Sequence, residues 1–465
     1  MKTPPFALHL PRESNSVETE LDTSNRRNLQ MLHYENGAPD KILTDSQLQD
    51  ALRETFDKLG ERKKVLIVPP DYTRFHSNAG VVTSFAYQYY GEKITDIMPA
   101  LGTHKPMTAE QRKKMFGDDI PDSIFRVHDW RNDVITVGHV PKELVAAASD
   151  GAVNEPWPAQ VNKLLWEGDH DLILSIGQVV PHEVLGMANH SKNIFVGIGG
   201  SDAINFSHFI GACYGMEKMM GQAANPLRKI FDYASDKFLS EKPIVYILTV
   251  RGNDALSQSY VTRGLYIGSG TECFYRASKL SLQCNFFMLE KPIHKVVVYL
   301  DPNEFHSTWL GNKSIYRTRM AIADKGELIV LAPGVNTFGE DPKIDELIRK
   351  YGYRTTPEVM EHVKNNRDLM KNLSAAAHLI HGTSEGRFRI IYCPGSLTKE
   401  EVESVGYEYG DISAYLAKYN PQTLQPGWNT LESGVSSDLG ECQEEIIYFI
   451  PQPATGLWAW RGKFE

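Results

Sequence analysis

Short apolar runs recur throughout this chain of 465 residues, and most of them end in a loop with polar or glycine residues. Such runs are typical of strands buried on both faces, and several segments between them carry the apolar spacing of amphipathic helices. The runs lie at residues 65–68, 94–101, 171–176, 244–250, 296–300, 328–331, 390–392 and 446–450. Strands that alternate with helices predict an α/β fold with mostly parallel sheets.

The length of the chain predicts more than one domain, because single hydrophobic cores stop growing at roughly 250–300 residues. A second series of strands and helices begins near residue 291. We therefore expect two α/β domains, residues 1–290 and 291–465, with the active site in the cleft between them. Helical patterns lie at residues 44–60, 344–351 and 358–379, and the polar residues 1–40 are expected to form an arm over the surface.

The composition argues against several classes of protein. The net charge is −9 and the basic residues are scattered, so a nucleic-acid-binding surface is not expected. No apolar run approaches the roughly 18–20 residues of a membrane-spanning helix, and the N-terminus lacks the long apolar region of a signal peptide. The five cysteines are widely spaced and form no CxxC pair. They predict reduced thiols in a cytoplasmic protein and speak against a cysteine zinc site.

Residues that can carry chemistry follow three of the predicted strands. Ligands bind beyond the carboxyl ends of strands in open α/β sheets, so these loops face one crevice if their strands are neighbours. Histidine can move protons or bind a metal, lysine can bind an anion or act as a nucleophile, and arginine can clamp a carboxylate. The residues are Asp71, Thr73 and Arg74 after the first strand, His104 after the second, and His182, Lys192 and His208 after the third.

Each of these residues also has a plain structural interpretation. A lone histidine is more often packed or solvated than catalytic, Arg74 could tie a loop, and Lys192 could lie on the surface. Gly197, Gly199 and Gly200 could bring the backbone close to a ligand or form a tight turn, and they do not complete a GxGxxG dinucleotide motif. The joint placement at several strand ends is what favours a functional site.

The order and spacing of these motifs resemble the lactate racemase family, the nickel-pincer racemases and epimerases. The family's motifs occur here in the family's order, as DYTR at residues 71–74, GTH at 102–104 and PHE at 181–183, followed by Lys192 and His208. Lys192 follows His182 by ten positions and His208 follows Lys192 by sixteen, which matches the family's spacing. The resemblance covers most of the chain and includes a division into two domains near residue 290.

The resemblance implies an isomerase that inverts the C2 centre of a 2-hydroxy acid by proton-coupled hydride transfer. Its cofactor would be the nickel-pincer nucleotide, pyridinium-3-thioamide-5-thiocarboxylic acid mononucleotide with Ni²⁺, made by separate biosynthetic proteins. The first domain would bind this cofactor, and the second would close over the substrate. By position, Lys192 would carry the cofactor as a thioamide, His208 would bind nickel, and Asp71 and Thr73 would neighbour the cofactor. His104 and His182 would be the acid/base pair. Arg74 would clamp the carboxylate, and Lys313 would reach the substrate from the second domain.

The chemistry of these residue types agrees with that implication. Removing the C2 hydrogen of a 2-hydroxy acid as a proton is hard, because a carboxylate stabilises a carbanion poorly. Removing it as hydride, while a base takes the hydroxyl proton, gives a stable 2-keto acid. This reaction needs a hydride acceptor, a base for each enantiomeric pose and an anion clamp, and histidine and arginine suit the last two roles. Square-planar ligation by nitrogen and sulfur suits nickel(II).

Several positions depart from the family pattern. The family's glycine-rich segment before the lysine is replaced by residues 188–191, Leu310 stands where a glutamine is common, and the family's tryptophan aligns loosely with Met370. These positions touch substrate more than cofactor, so they suggest a substrate other than lactate, such as a longer hydroxy acid of the sugar-acid type. His190, His378 and His381 could line such a pocket, or they could be packed or surface histidines.

Other functions stay open at this stage. A nicotinamide-dependent 2-hydroxy-acid dehydrogenase shares the need for histidine, arginine and a hydride acceptor, but no GxGxxG follows the first strand. A non-catalytic nucleotide- or sugar-acid-binding protein would account for the glycines, lysine and arginine, but gives no reason for two strand-end histidines. A zinc hydrolase is not indicated, since neither HExxH nor a cysteine ligand set occurs.

Overall fold

The computed structural model describes residues 31–149, 151, 153–254, 259–436 and 442–463. Its two largest sheets have six strands each. The first is built from strands within residues 32–268 and the second from strands within residues 293–450. Helices pack against both sheets, so the main hydrophobic core runs through both halves of the chain.

The first sheet is parallel in its functional part. In chain order, the strands of this half are β1 (Leu32–Gly37), β2 (Val65–Val68), β3 (Ile94–Ile97), β4 (Val134–Val140), β5 (Trp157–Asn162), β6 (Leu172–Gln178), β7 (Pro181–His182), β8 (Gly186–Met187), β9 (Ile244–Asn253) and β10 (Tyr260–Gly268). The sheet has the order β1-β10-β9-β6-β2-β3. Strands β9, β6, β2 and β3 are parallel, whereas β10 and β1 are added antiparallel at one edge.

The helices of this half begin and end at residues with clear sequence signals. They are Asp45–Leu59, Ala79–Tyr90, Ala109–Phe116, Lys142–Ala148, Lys163–Glu167, Ser201–Tyr214, Met216–Met219, Pro226–Phe238 and Thr271–Asn285. Thr44 and Gln47 form a reciprocal capping box at the start of the first helix, and Gly60 follows its end at a φ of 76°. The helix predicted over residues 44–60 is thereby confirmed.

The parallel neighbours bring the three predicted loops to one edge of the sheet. Strand β2 pairs with β6 on one side and β3 on the other, so that Val68 lies opposite Ser175 and Ile67 opposite Ile97. All three strands run in the same direction, and their carboxyl ends therefore meet. The prediction that these loops face one crevice is confirmed.

The second half repeats the α/β pattern. Strand β11 (Phe286–Leu289) ends the first half. The strands of the second half are β12 (Ile293–Tyr299), β13 (Ile322–Ala332), β14 (Arg389–Pro394), β15 (Glu408–Tyr409), β16 (Gly427–Ser436), β17 (Cys442–Ile450) and β18 (Leu457–Trp460). Its helices are Thr308–Gly311, Lys313–Tyr316, Pro342–Tyr351, Thr356–Asn365, Arg367–Met370, Leu373–His381, Lys399–Ser404 and Ile412–Lys418. The second sheet has the order β15-β14-β13-β12-β17-β16 and is parallel except for the β16–β17 pair.

The long helix predicted over residues 358–379 is wrong, because three helices occupy this region. Asn366 adopts extended backbone between the first two helices. Asn372 precedes the third, and its side chain accepts a hydrogen bond from the amide of Ala375. Asparagine favours such caps because its short side chain satisfies an amide that the helix leaves free. The chain therefore forms a separate helix, Leu373–His381, beside the candidate site.

Strand β18 connects the two halves. It pairs in parallel with β11, which places Leu457 opposite Phe286. On its other side, the backbone amide of Trp458 donates to the carbonyl of Arg317 at 2.9 Å, and the backbone amide of Trp460 donates to the carbonyl of Met320 at 3.2 Å. One short strand therefore holds the segment before residue 290 and the segment after Lys313 together.

These observations confirm the predicted α/β class with mostly parallel sheets, and the division at residue 290 stays a prediction. The surface arm predicted over residues 1–40 is wrong for Leu32–Gly37, which pairs with β10 as an edge strand, and residues 1–30 lie outside the described residues. Cys213, Cys273, Cys284 and Cys393 are free thiols. Among the described residues, none of the helices has the length and apolar character needed to cross a lipid bilayer.

Candidate functional site

A cleft at the carboxyl edge of the first sheet gathers the predicted site residues. It contains about 1230 Å³ of space, part of it open to solvent, and both halves of the chain contribute side chains to it. Thr73 is the exception, since it lines the adjoining cavity behind Asp71. The predicted residues that line the cleft are Asp71, Arg74, His104, His182, Lys192, His208 and Lys313.

The His104 ring is oriented by a buried carboxylate. Its Nδ1 lies 2.7 Å from Oδ2 of Asp71. Burial alone would raise the pKa of Asp71, but His104 and Arg74 hold that pKa below its ordinary value. Because an ionised carboxylate only accepts hydrogen bonds, Nδ1 carries the ring proton and Nε2 has a free lone pair. His104 therefore presents a proton acceptor.

Thr73 supports this arrangement from behind. Its hydroxyl donates to Oδ1 of Asp71 at 2.6 Å, and Nη1 of Arg74 donates to the same threonine oxygen at 3.2 Å. Within the described residues, no salt bridge joins Arg74 to a carboxylate. The guanidinium of Arg74 is thus held at the cleft and can bind an anionic ligand.

His182 has a different proton arrangement from His104. The backbone amide of Val184 donates to Nδ1 at 3.1 Å, so the proton of the neutral ring lies on Nε2, which is 3.7 Å from Oε1 of Glu183. Burial lowers the pKa of His182 well below 6.5 and keeps the ring neutral. Burial alone would raise the pKa of Glu183, but the charge of Arg317 helps to hold that pKa below its ordinary value. His182 therefore presents an N–H donor.

Lys192 stands in the cleft as an amine with no partner. It makes no hydrogen bond or ion pair with any described residue, and burial, helped by the charge of Arg74, lowers its pKa to about 8. The next residue is anchored, because the side-chain amide of Asn193 donates to the carbonyl of Val68 and to the hydroxyl of Ser175, each at 3.0 Å. A lysine with a lowered pKa and a fixed backbone is suited to covalent attachment of a ligand.

His208 presents a single free nitrogen from the helix Ser201–Tyr214. Its Nδ1 lies 2.7 Å from the carbonyl oxygen of Ile204, which can only accept, so Nδ1 carries the proton. Burial and the nearby Lys192 lower the pKa of His208 to about 4. A neutral imidazole fixed in this way can bind a metal through Nε2. No described His, Cys, Asp and Glu side chains form a group of three that could hold a metal ion.

The second half forms the opposite wall. Lys313 is buried, and burial followed by the Arg74 charge lowers its pKa to about 8. Leu310, identified above as a departure from the family pattern, lies beside it in the cleft. Trp309 and Tyr316 also line the cleft and were not predicted. Their positions, four residues before and three after Lys313, match one helix face, and this spacing could have revealed them.

The three additional histidines have different outcomes. His378 and His381 line the cleft. His190 does not, because its ring packs 3.9 Å from the ring of Tyr246 and its Nε2 bonds to the carbonyl of Gly270. Met370 also lies outside the cleft and is 49% exposed, so it does not take the place of the family's tryptophan.

The glycines near His208 serve the packing of the protein. A Cβ on Gly199 would lie 1.9 Å from the carbonyl oxygen of Phe195, and a Cβ on Gly200 would lie 2.3 Å from Oε1 of Gln160. The same Gln160 oxygen accepts hydrogen bonds from the first amides of the following helix. Close approach to neighbouring protein atoms explains Gly199 and Gly200, whereas Gly197 lines the cleft, where its expected approach to a ligand stays a prediction.

The segment before Lys192 keeps a glycine-like backbone although it contains no glycine. Asn189 and His190 both adopt left-handed backbone, with φ of 66° and 58°, a conformation that favours glycine. The buried guanidinium of Arg228 stabilises it by donating to the carbonyls of Met187 and Asn189 and to the hydroxyl of Ser191. The sequence departs from the family here, but the backbone keeps a glycine-like path.

Comparisons with known proteins agree with this fold. Residues 15–220 match the family model described as the lactate racemase N-terminal domain. A solved structure of a Thermotoga maritima protein has 25% identity and a TM-score of 0.75, and the match covers 92% of this chain and 100% of that one. The lactate racemase apoprotein of Thermoanaerobacterium thermosaccharolyticum has 17% identity and a TM-score of 0.61, with 94% and 96% covered. The comparison with curated proteins gave no match.

Proposed function

Since this chain belongs to the lactate racemase family, we propose that it is an isomerase that inverts the C2 centre of a 2-hydroxy acid. The observation that carries the proposal is the convergence in one cleft of a histidine set to accept a proton, a histidine set to donate one, and cations that form no ion pair with a described carboxylate. A hydroxy acid offers one hydroxyl and one carboxylate to such a set.

The residues fit the family's cofactor. The Lys192 amine has a lowered pKa and no partner in the described part of the chain, which suits the thioamide link, and Nε2 of His208 suits a nickel ligand. When bound, the nickel-pincer nucleotide would supply the acceptor for the C2 hydrogen. The Asn193 anchor and the Arg228 hydrogen bonds would keep the attachment point in place.

The protein itself handles the hydroxyl proton. Nε2 of His104 accepts this proton as the C2 hydrogen leaves, and Asp71 stabilises the resulting imidazolium through Nδ1. The Nε2–H of His182 donates a hydrogen bond to an oxygen of the substrate. For His182 to act as the second base, its ring must release the Val184 amide and turn the unprotonated nitrogen to the hydroxyl.

Arg74 and Lys313 hold the carboxylate between the two halves of the chain. The guanidinium fork matches two carboxylate oxygens, and the Lys313 ammonium adds a point charge from the opposite wall. Because the pKa of Lys313 is about 8, an anionic ligand that raises it keeps this side chain charged at neutral pH.

A labelled substrate tests the reaction. The full chain, produced together with the cofactor-biosynthesis proteins, is given one enantiomer of a 2-hydroxy acid that carries deuterium at C2, in ordinary water. We expect inversion with the label retained, because hydride transfer keeps that hydrogen away from solvent. Rapid loss of the label would instead indicate proton abstraction, and binding without inversion would indicate a non-catalytic protein.

Intact-mass analysis tests the cofactor independently of activity. We expect an adduct on the chain produced with the biosynthetic proteins and none on Lys192→Ala. Lys313→Ala is the matched control, because Lys313 lines the same cleft with the same pKa of about 8. An adduct that persists in Lys192→Ala, or an active protein with neither adduct nor nickel, contradicts the assignment.

A further inference from the structure

We propose that His378 and His381 recognise hydroxyl groups beyond C2, so that the substrate is a polyhydroxy monocarboxylate of the aldonic-acid class. This inference rests on the proposed function and names its substrate class. Both histidines lie on the helix Leu373–His381, are buried, and face the cleft three residues apart. Neither takes part in the proton transfer or the cofactor attachment described above.

The proton of His378 can be located from its hydrogen-bond chain. The Thr308 hydroxyl donates to the carbonyl of Phe338 at 3.0 Å, since a carbonyl only accepts. The Tyr353 hydroxyl, 2.6 Å away, must then donate to Thr308. Tyr353 therefore accepts from Nε2–H of His378 at 3.0 Å, which leaves Nδ1 with a lone pair and no donor among the described residues.

His381 carries the second unsatisfied nitrogen. Its Nε2 is buried and has no hydrogen-bond partner within the described residues. A buried polar atom of this kind destabilises the protein unless a ligand or water satisfies it. The ring packs edge-on against Tyr316, which lines the same cleft, and burial lowers the pKa of His381 to about 3. His381 is therefore a neutral side chain in the wall of the cleft.

The two nitrogens select a hydroxyl over other substituents. An alkyl tail, such as the methyl group of lactate, would leave both nitrogens unpaired. A second carboxylate cannot donate to the lone pair on Nδ1 of His378. An ammonium group could donate, but it would enter a cleft that already holds Arg74, Lys192 and Lys313. A hydroxyl both donates and accepts, so neighbouring hydroxyls on one carbon chain can satisfy both rings.

The experiment compares substrates that differ by single hydroxyl groups. The full chain, loaded with cofactor, is assayed for inversion of lactate, of gluconate as a representative aldonate, and of 3-deoxy- and 4-deoxygluconate. We expect kcat/KM for gluconate to exceed that for lactate, and at least one deoxy analogue to lose about tenfold, because a site built to bind a hydroxyl rejects the analogue that lacks it. Wild-type protein suffices for this arm.

Variants assign the effect to the helix. His381→Leu removes the nitrogen, whereas His381→Gln keeps a polar atom near the position of Nε2. We expect the gluconate-to-lactate ratio of kcat/KM to fall about tenfold in His381→Leu and to recover in His381→Gln. His294→Gln, an exposed histidine in β12, is the control and should leave the ratio unchanged. Calorimetric titration of gluconate into each chain gives a readout that does not depend on turnover.

The outcomes separate this inference from the proposed function. Inversion of lactate or other simple hydroxy acids, with no preference for gluconate and no effect of His381→Leu, overturns the inference and leaves the proposed function standing. Binding of gluconate that depends on His381, without inversion of any acid, supports the recognition and overturns the proposed function. A ratio that falls equally in His294→Gln also overturns the assignment to His381.

Discussion

Replacing Asp71 by asparagine should turn the proton acceptor of the site into a donor. The Thr73 hydroxyl donates to Oδ1, which keeps the amide oxygen of the new side chain on that side and turns its NH₂ group toward His104. The amide would then donate to Nδ1, and the ring proton would move to Nε2. His104 would face the substrate with an N–H in place of a lone pair.

The size of the effect follows from the exposure of the ring. The corresponding aspartate-to-asparagine change in a serine protease triad lowers kcat by about 10⁴ through the same tautomer change. The His104 side chain is 24% exposed, so water competes for its nitrogens and weakens the tautomer preference. We therefore expect kcat to fall about 10³-fold in Asp71→Asn, which corresponds to about 4 kcal/mol of transition-state stabilisation.

The assay follows inversion of each lactate enantiomer by chiral chromatography. Because the two enantiomers have equal free energies, kcat/KM must fall by the same factor in both directions. Long-range ¹H–¹⁵N NMR correlations report the tautomer of His104 directly, without turnover. Asp96→Asn is the matched control, since Asp96 is also buried and bonded to a histidine, His170, at 3.1 Å, but lies outside the cleft.

Two results would refute the reasoning. If Asp71→Asn shows the new tautomer by NMR and still inverts lactate within tenfold of the wild-type rate, His104 is not the base. If Asp96→Asn loses as much activity as Asp71→Asn, the loss arises from general destabilisation of the first sheet. Thermal unfolding of both variants tells whether the comparison is made on folded protein.

Two further predictions concern stability. Arg228→Met removes three hydrogen bonds to residues 187–191 and should lower the free energy of unfolding by about 3–5 kcal/mol in urea titrations, whereas Arg228→Lys should lose less. No loss at all in Arg228→Lys would show that the charge alone matters and would contradict a role for the three hydrogen bonds. The second prediction concerns Asp96. Burial opposes the ionisation of Asp96, but hydrogen bonds with His170, Thr95 and Arg126 lower its pKa from 3.8 to about 2. Because the pKa is lowered in the folded state, the ionised carboxylate stabilises the fold above pH 3.8, and this stabilisation is lost as the pH falls through 2. The free energy of unfolding of the wild type should therefore exceed that of Asp96→Asn by about 2 kcal/mol at pH 6, and the two values should converge near pH 2. A difference that does not change with pH contradicts this assignment.

The strand ends could be predicted from the sequence because local patterns determine them. Each apolar run of the first sheet is short and near-continuous, and each is followed by its polar loop, as Val65–Val68 is followed by Asp71. The parallel pairing of β2 with β3 and β6 then brings separate loops together without any long-range information beyond the α/β rule. Capping boxes, as at Thr44, are local for the same reason.

The outer wall of the cleft could not be predicted in the same way. Whether His190 or His378 faces a ligand depends on which aromatic rings pack against each, and those rings come from distant segments. Leu373–His381 begins where Asn372 caps it, but the helical spacing of the surrounding residues continues across that point and hides the break. The glycines around His208 look like a ligand loop in sequence, and only their three-dimensional neighbours show that they accommodate Phe195 and Gln160.

The position of β18 also has a consequence for the order in which the molecule assembles during synthesis. Leu457–Trp460 is made long after β11 and the Arg317–Met320 segment that it joins. The first sheet, with Lys192 on its carboxyl edge, can therefore form while the opposite wall is still unattached. The width of the cleft between Lys192 and Lys313 is set last, when β18 pairs with both segments.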